Sequence, residues 1–110
     1  MDAFYALAEP HRRKVVEILA HRGQLSATQI CDEFEVTPQA ISQHLRVLRE
    51  ADVILMEKRA QQRLYAFNPR SVFEIEKWAA EMTAMWSSRF GRLDKALKDE
   101  EGSHARGKAH

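Results

Sequence analysis

This chain of 110 residues contains a single cysteine, Cys31, and has no long apolar run. One cysteine excludes an internal disulfide and is typical of proteins in a reducing compartment. No stretch approaches the roughly 20 consecutive apolar residues of a membrane span, and the N-terminus lacks the basic-then-apolar pattern of a secretory signal. We therefore expect a cytoplasmic protein with no membrane partner.

The chain also has little net charge, because 17 basic residues nearly balance 16 acidic residues. Such a balance is not the overall signature of a strong nucleic-acid binder. The charges are unevenly distributed, however, since residues 1–36 contain four basic and six acidic groups, whereas residues 37–67 contain five and three. A mildly positive middle is typical of a binder that uses shape and base contacts as well as charge.

Glycine and proline are absent from residues 39–51, which predicts one uninterrupted helix over Thr37–Ala51. Thr37 can cap this helix, and Pro38 is suited to its first position, where no N–H is needed. At about 100° per residue, the apolar residues fall on one side and a narrow polar arc falls on the other. The arc carries amides, a hydroxyl and a guanidinium, which are the groups that read base edges in DNA. The residues predicted to contact DNA are Thr37, Gln39, Ser42, Gln43 and Arg46.

Three helices are predicted before this one. The first covers residues 2–8, and the second covers Pro10–His21, with proline at its first position. A capping box, Ser26 followed three residues later by Gln29, begins a third helix that runs to about Phe34. Two short helices joined by a tight turn, the second with a polar reading face, form a helix-turn-helix.

Two strands are predicted next, over residues 53–59 and 63–67, with Ala60–Gln62 at the tip of the hairpin. The tip lacks glycine, asparagine and aspartate, so its turn type cannot be predicted. Basic side chains crowd the tip. They predict contact with a phosphate or a minor groove, and the alternative is a charged edge that resists aggregation. These residues are Lys58, Arg59 and Arg63.

A long helix is predicted over Ser71–Leu97, with its apolar residues on one side within about 140°. At 1.5 Å per residue it would span roughly 40 Å, which is longer than a small core requires. We therefore predict that the surplus apolar surface is buried in a homodimer. The predicted interface residues are Phe4, Leu7, Ile75, Met82, Trp86 and Leu93.

These elements predict one domain over residues 1–98, mainly α with a small β-hairpin. Residues 99–110 are polar and punctuated by glycine, and they are predicted to form a disordered tail.

Residues 6–19 resemble the opening segment of ArsR-type (arsenic-repressor-like) winged-helix transcriptional repressors. Residues 36–51 resemble their recognition helix, and the two strands up to Phe67 resemble their wing. The resemblance covers about residues 3–97 and implies a winged helix-turn-helix fold. It also implies a homodimer, held by the first and last helices, that places two recognition helices in successive major grooves of a palindromic operator. Many members of the family leave DNA when a metal ion or another signal binds.

The chain departs from the metal sites of that family. The founding site is a Cys-x-Cys pair in the third helix, where Cys31 matches the second cysteine but Gln29 replaces the first. A single thiolate is not a competent soft-metal site without other ligands. Another site in the family uses Asp, His and Glu on the last helix, but residues 71–97 contain no histidine. We therefore predict no metal site and no cofactor, although His104 and His110 in the tail could bind metal adventitiously.

Three other groups have competing interpretations. For Arg12–Lys14, a solvated helix face is favoured over phosphate contact. For Cys31, a small half-buried hydrophobe is favoured over a redox sensor. His44 lies on the apolar side of the reading helix, where a packed histidine with one satisfied nitrogen is favoured over phosphate contact. Neither Cys31 nor His44 has an acid–base partner that the sequence reveals, so an enzyme is not predicted.

Two alternatives to a simple repressor stay open. A thiol- or metal-responsive regulator that uses Cys31 would differ only in its switch, and the effector is left unassigned. A winged helix can also be a protein–protein interaction module. That alternative predicts an acidic or apolar reading face, which the amides and the guanidinium of Gln39, Gln43 and Arg46 argue against.

Overall fold

The structure is a computed structural model that describes the backbone of residues 2–101 and the side chains of residues 2–87. The contacts divide the chain into two compact units, one ending at Ile75 and the other beginning at Glu76. In chain order the elements are α1 (Ala3–Ala6), α2 (Pro10–Arg22), β1 (Leu25–Ser26), α3 (Ala27–Cys31), α4 (Pro38–Glu50), β2 (Ile54–Arg59), β3 (Gln62–Phe67), a 3-10 helix (Pro69–Val72) and α5 (Phe73–Glu101).

α4 forms where the sequence predicts the reading helix. The Thr37 hydroxyl oxygen accepts a hydrogen bond from the Ala40 N–H at 3.1 Å, and Pro38 is the first helical residue. The apolar side of α4 packs against α1, α2, α3 and β2. Its buried residues, none more than 3% exposed, are Ile41, Leu45 and Leu48. The predicted separation of the two faces is therefore confirmed.

α1 is held by the helix that follows it. Arg12 Nε donates to the Ala6 carbonyl at 2.7 Å, and Arg13 Nη1 donates to the Leu7 carbonyl at 2.8 Å. These carbonyls lie at the C-terminal end of α1, where a helix leaves its acceptors without partners. The guanidinium of Arg12 also lies 5.4 Å from the centre of the Tyr5 ring. The prediction of a merely solvated face is therefore corrected for both arginines, because they cap α1.

α3 begins with the predicted capping box. The Ser26 hydroxyl accepts from the Gln29 N–H at 3.2 Å, and the Gln29 side chain accepts from the Ser26 N–H at 2.9 Å. The α-helix ends at Cys31 instead of running to Phe34. The Phe34 N–H donates to the Cys31 carbonyl at 3.1 Å, a bond across three residues that tightens the chain into the turn before α4.

The sheet has three antiparallel strands in the order β1-β3-β2. β3 is central, and its Tyr65 is buried. β1 pairs Leu25 with Tyr65 and Ser26 with Leu64. This strand was not predicted, because two residues are too short to show an alternating pattern. It joins the segment before α3 to the wing formed by β2 and β3.

The hairpin turn is one residue shorter than predicted. Arg59 pairs with Gln62, so only Ala60 and Gln61 form the tip. Ala60 has a φ of 57°, a conformation that costs an L-residue with a side chain about 1–2 kcal/mol. The turn type could not be predicted because alanine is not a usual residue at this position.

α5 begins at Phe73, two residues after the predicted start, because the 3-10 helix precedes it. The Asn68 side chain accepts from the Arg70 N–H at 3.3 Å and caps that 3-10 helix. α5 extends to Glu101, so residues 99–101 of the predicted tail are helical. The rest of the tail lies outside the described residues. Among the described residues, no helix combines the length and the apolar character that crossing a bilayer requires.

We expect Ala60→Gly to stabilise the fold by about 0.5–1 kcal/mol, because glycine relieves the positive φ at the turn. Thermal unfolding should show a melting temperature higher by a few degrees. Gln61→Gly is the matched control, since Gln61 has no positive φ and glycine there adds only freedom to the unfolded chain. Equal destabilisation by the two changes would contradict the assigned turn geometry.

Candidate nucleic-acid interface

The exposed face of α4 includes the four polar side chains that the sequence predicts to read base edges, and Arg49 and Glu50 are exposed near its C-terminal end. Gln39, Ser42, Gln43 and Arg46 are all exposed, as the helical period predicts. Gln43 Oε1 accepts a hydrogen bond from Arg46 Nη2 at 3.0 Å. This bond holds an amide and a guanidinium side by side, so the two groups can present donors and an acceptor to base edges together.

Thr37 is exposed at the start of the same helix. Its hydroxyl oxygen is engaged as the N-cap, which leaves the hydroxyl hydrogen as the group it can offer to an acceptor such as a phosphate. The structural role of Thr37 is thus visible, and its predicted contact with DNA stays a prediction.

The wing separates its basic residues onto two faces. Lys58 pairs directly with Arg63 across the strands, so both side chains share one face. Among the described side chains, neither of these two has an acidic partner within 4.0 Å. Arg59 lies on the other face, where its Nη2 is 3.1 Å from Glu57 Oε2.

Glu57 is a hydrogen-bond centre at the base of that second face. The Gln24 amide donates to Glu57 Oε1 at 3.0 Å, and Arg59 donates to the other oxygen. The hydrogen bond from Gln24, followed by the bond and the charge of Arg59, lowers the pKa of Glu57. Arg59 is therefore partly neutralised within the wing, whereas Lys58 and Arg63 are not.

Three titratable side chains, Glu9, His11 and His44, form a cluster between the start of α2 and α4. This cluster was not predicted from the sequence. Glu9 Oε2 accepts from His11 Nδ1 at 3.0 Å, and Glu9 Oε1 lies 3.8 Å from His44 Nδ1. The two imidazole rings stack with centroids 5.6 Å apart and planes 12° from parallel. No regular spacing connects Glu9 and His11 with His44, and Glu9 reaches the rings only because it is the N-cap of α2.

The pKa values of Glu9 and His44 are each shifted by burial and by the other groups in this cluster. Partial burial works to raise the pKa of Glu9, but hydrogen bonds from His11 and from the Arg12 N–H, with the charges of the two imidazoles, lower it overall. Burial lowers the pKa of His44, the Glu9 carboxylate opposes that shift, and Arg12 adds to it. The His44 side chain is 18% exposed, which confirms the packing part of its interpretation, and the satisfied nitrogen stays a prediction because its Nδ1 lies 3.8 Å from Glu9.

The residues predicted for a dimer interface differ in exposure. Phe4, Leu7 and Met82 are half-buried, and Ile75 packs against the core of the first unit. Trp86 is 58% exposed. Leu93 lies outside the described side chains. Three more large apolar side chains on α5 are at least half exposed: Phe73, Trp78 and Met85.

Cys31 is a free thiol that is half-buried at the end of α3. It packs against the hydrophobic core. This environment is the one expected for a small hydrophobic residue.

Comparison with known proteins identifies the family. The profile of a family described as a helix-turn-helix domain matches residues 7–57, from the end of α1 into β2. The transcriptional repressor SdpR of Bacillus subtilis is 30% identical, with 70% of this chain aligned to 84% of SdpR. The arsenical resistance operon repressor of Escherichia coli is 30% identical over 74% of this chain and 67% of its own length. A crystal structure of an ArsR family transcriptional regulator superposes with a TM-score of 0.71 at 28% identity, covering 77% of this chain and 87% of that one.

The chain belongs to the ArsR family of winged helix-turn-helix transcriptional regulators. As an ArsR-family protein it is a DNA-binding transcription regulator and not an enzyme. The matched profile includes the whole of α4, the helix with the exposed polar face. The predicted fold, mainly α with a small wing, is confirmed.

Proposed function

We propose that this protein is a cytoplasmic homodimeric repressor that reads a palindromic operator with α4 of each subunit, in two successive major grooves. The observation that carries the proposal is the exposed polar face of α4, opposite an apolar side on which Ile41, Leu45 and Leu48 are buried. Two of its relatives, SdpR and the E. coli protein, are named as repressors, which supports repression as the mode of action.

Direct readout would depend on Gln43 and Arg46. Amides recognise adenine and guanidiniums recognise guanine through paired hydrogen bonds in the major groove. Because the two side chains are hydrogen-bonded to each other, they are held in position before DNA arrives, and less side-chain freedom is lost on binding. Gln39 and Ser42 extend the same exposed arc toward the N-terminal end of α4.

The wing would supply phosphate contacts. Lys58 and Arg63 face each other across the strands, and like charges directly opposite destabilise a hairpin. A phosphate between them would remove this repulsion. Arg59 would contribute less, because its guanidinium is already paired with Glu57.

The dimer would bury the apolar side chains of α5. Trp78, Met85 and Trp86 are 51–58% exposed, and monomeric proteins rarely leave so much large apolar surface in water. Two half-sites are needed because one recognition helix reads only a few base pairs, and two-fold symmetry fixes their spacing near one helical turn of about 34 Å.

We expect Gln43→Ala and Arg46→Ala each to weaken binding to the specific operator by about 1–3 kcal/mol, with the loss confined to particular base positions. The double variant should lose less than the sum of the two, because the residues contact each other. Titrations against operators with single base changes measure both effects.

Arg46→Lys is the matched control for charge. Lysine keeps the positive charge but cannot form the paired hydrogen bonds of a guanidinium. Non-specific affinity should therefore be preserved while base selectivity is lost. If both alanine variants bind every site as the parent does, the assignment of α4 as the reading helix is wrong.

For the wing, we expect Lys58→Gln or Arg63→Gln to reduce the slope of log affinity against log salt by roughly one unit on non-specific DNA. Arg59→Gln should change the slope less, since Glu57 already neutralises part of its charge. Unchanged slopes in all three variants would leave the hairpin as a structural edge.

For the dimer, Trp86→Glu should give a monomer or an unfolded chain in sedimentation, because it places an unpaired charge in the proposed interface. Operator binding should fall far more than non-specific binding. Ala84→Glu is the matched control, since Ala84 is exposed and projects from α5 about 160° away from Trp86. A folded Trp86→Glu dimer that still binds a palindrome normally would remove α5 from the interface.

A further inference from the structure

We propose that Glu9, His11 and His44 form a binding site for a divalent transition-metal ion, with Zn²⁺ as the best match to its ligands. The three side chains offer two imidazole nitrogens and one carboxylate oxygen, all within 4.8 Å of one another. Imidazole and carboxylate are ligands that Zn²⁺ accepts, and three protein ligands leave a fourth position for water.

A tetrahedral ion would require the rings to turn, because two nearly parallel stacked imidazoles do not direct their nitrogens at one point. Zn²⁺ binds nitrogen and oxygen at about 2.0–2.2 Å, so neighbouring ligand atoms lie about 3.3 Å apart. The separation between Glu9 Oε2 and His11 Nδ1 is 3.0 Å, and that between Glu9 Oε1 and His44 Nδ1 is 3.8 Å, so the two values lie on either side of about 3.3 Å but involve different carboxylate oxygens. A carboxylate can only accept a hydrogen bond, so His11 Nδ1 carries a proton here, and the ion would take that proton's place.

The ligands are held by rigid elements. Glu9 is fixed as the N-cap of α2, where its Oε1 accepts from the Arg12 N–H at 2.9 Å. The His11 ring lies 5.9 Å from the Phe34 ring in the turn before α4. His44 is in the middle of α4. Ligands on elements whose backbone is fixed lose less freedom when an ion binds than ligands on a mobile loop.

One positive group opposes the ion. Arg12 is close enough to lower the pKa of His44, and it would repel a cation in the same way. Its guanidinium, however, donates to the carbonyls of Ala6 and Tyr5 at the end of α1. The carboxylate of Glu9, as a ligand, would be the charge in contact with the ion, and each imidazole must be unprotonated at the nitrogen that binds.

The position of the site couples it to the reading helix. An ion held by Glu9, His11 and His44 would join the start of α2 to the middle of α4, on the side of α4 away from the exposed polar face. It would thereby favour one position of α4 relative to α2. The consequence for DNA affinity depends on the function proposed above, whereas binding of the ion does not.

The test uses the full chain, stripped of metal with a chelator, and Zn²⁺ as the probe in competition with a chromophoric chelator. The parent should bind one equivalent, and His11→Gln, Glu9→Gln and His44→Gln should each bind at least about tenfold more weakly. Zn²⁺ should raise the melting temperature of the parent, and that rise should vanish in the three variants.

Two controls separate this site from other histidines. The double change His104→Gln and His110→Gln removes the tail histidines, and His21→Gln removes one at the opposite end of α2. Both controls should retain stoichiometric binding. Loss of binding in the tail variant, with retention in His44→Gln that circular dichroism shows to be folded, would overturn the proposal.

DNA binding is measured separately with and without Zn²⁺. A Zn²⁺-dependent change in operator affinity that disappears in His44→Gln would support coupling to the reading helix. Zn²⁺ binding without such a change would overturn the coupling but leave the metal site supported. Failure to bind DNA under any condition would instead overturn the proposed function, and the metal titration would be unaffected.

Discussion

Burial of the apolar side of α4 is the constraint on which the rest of the structure depends. Ile41, Leu45 and Leu48 are almost completely removed from water, and each buried side chain of this size contributes about 1.5–3 kcal/mol. A single base contact contributes about 1–3 kcal/mol, so the core outweighs any one contact that could rotate the helix. The packing of the buried side of α4 therefore determines the direction in which the exposed polar arc faces. The neighbouring helices and β2 provide the surface against which α4 packs.

Local signals explain what the sequence could predict. The starts of α3 and α4 are marked by contacts within three residues, at Ser26 with Gln29 and at Thr37 with Pro38. The helix-turn-helix could therefore be predicted from the sequence alone. Features that require distant segments to meet were not predicted. β1 exists only because the wing lies beside it, and the cluster of Glu9 with His44 exists only because α2 packs against α4. The capping of α1 by arginines belongs to the same class.

The two sides of α4 carry different functional groups: polar side chains that face solvent on one side, and a titratable cluster on the other. The outer side presents Gln43 and Arg46, and the inner side presents His44 to Glu9 and His11. His44 immediately follows Gln43 in α4, so the two sides are joined by one peptide bond within one helix. By thermodynamic reciprocity, an ion that changed affinity for DNA would itself be bound more tightly or more weakly on DNA, by the same factor. A regulator of this type would need no second domain.

The capping of α1 by Arg12 and Arg13 has a consequence for the order of folding. A helix of four residues is not stable alone, because the entropy lost on nucleation exceeds the stabilisation from so few hydrogen bonds. Side chains of α2 donate the hydrogen bonds that its terminal carbonyls accept, so these bonds cannot form before α2 has formed. We therefore expect α1 to form after α2 and to open before it. Detachment of the N-terminal segment would thus also uncover the part of α4 against which α1 packs.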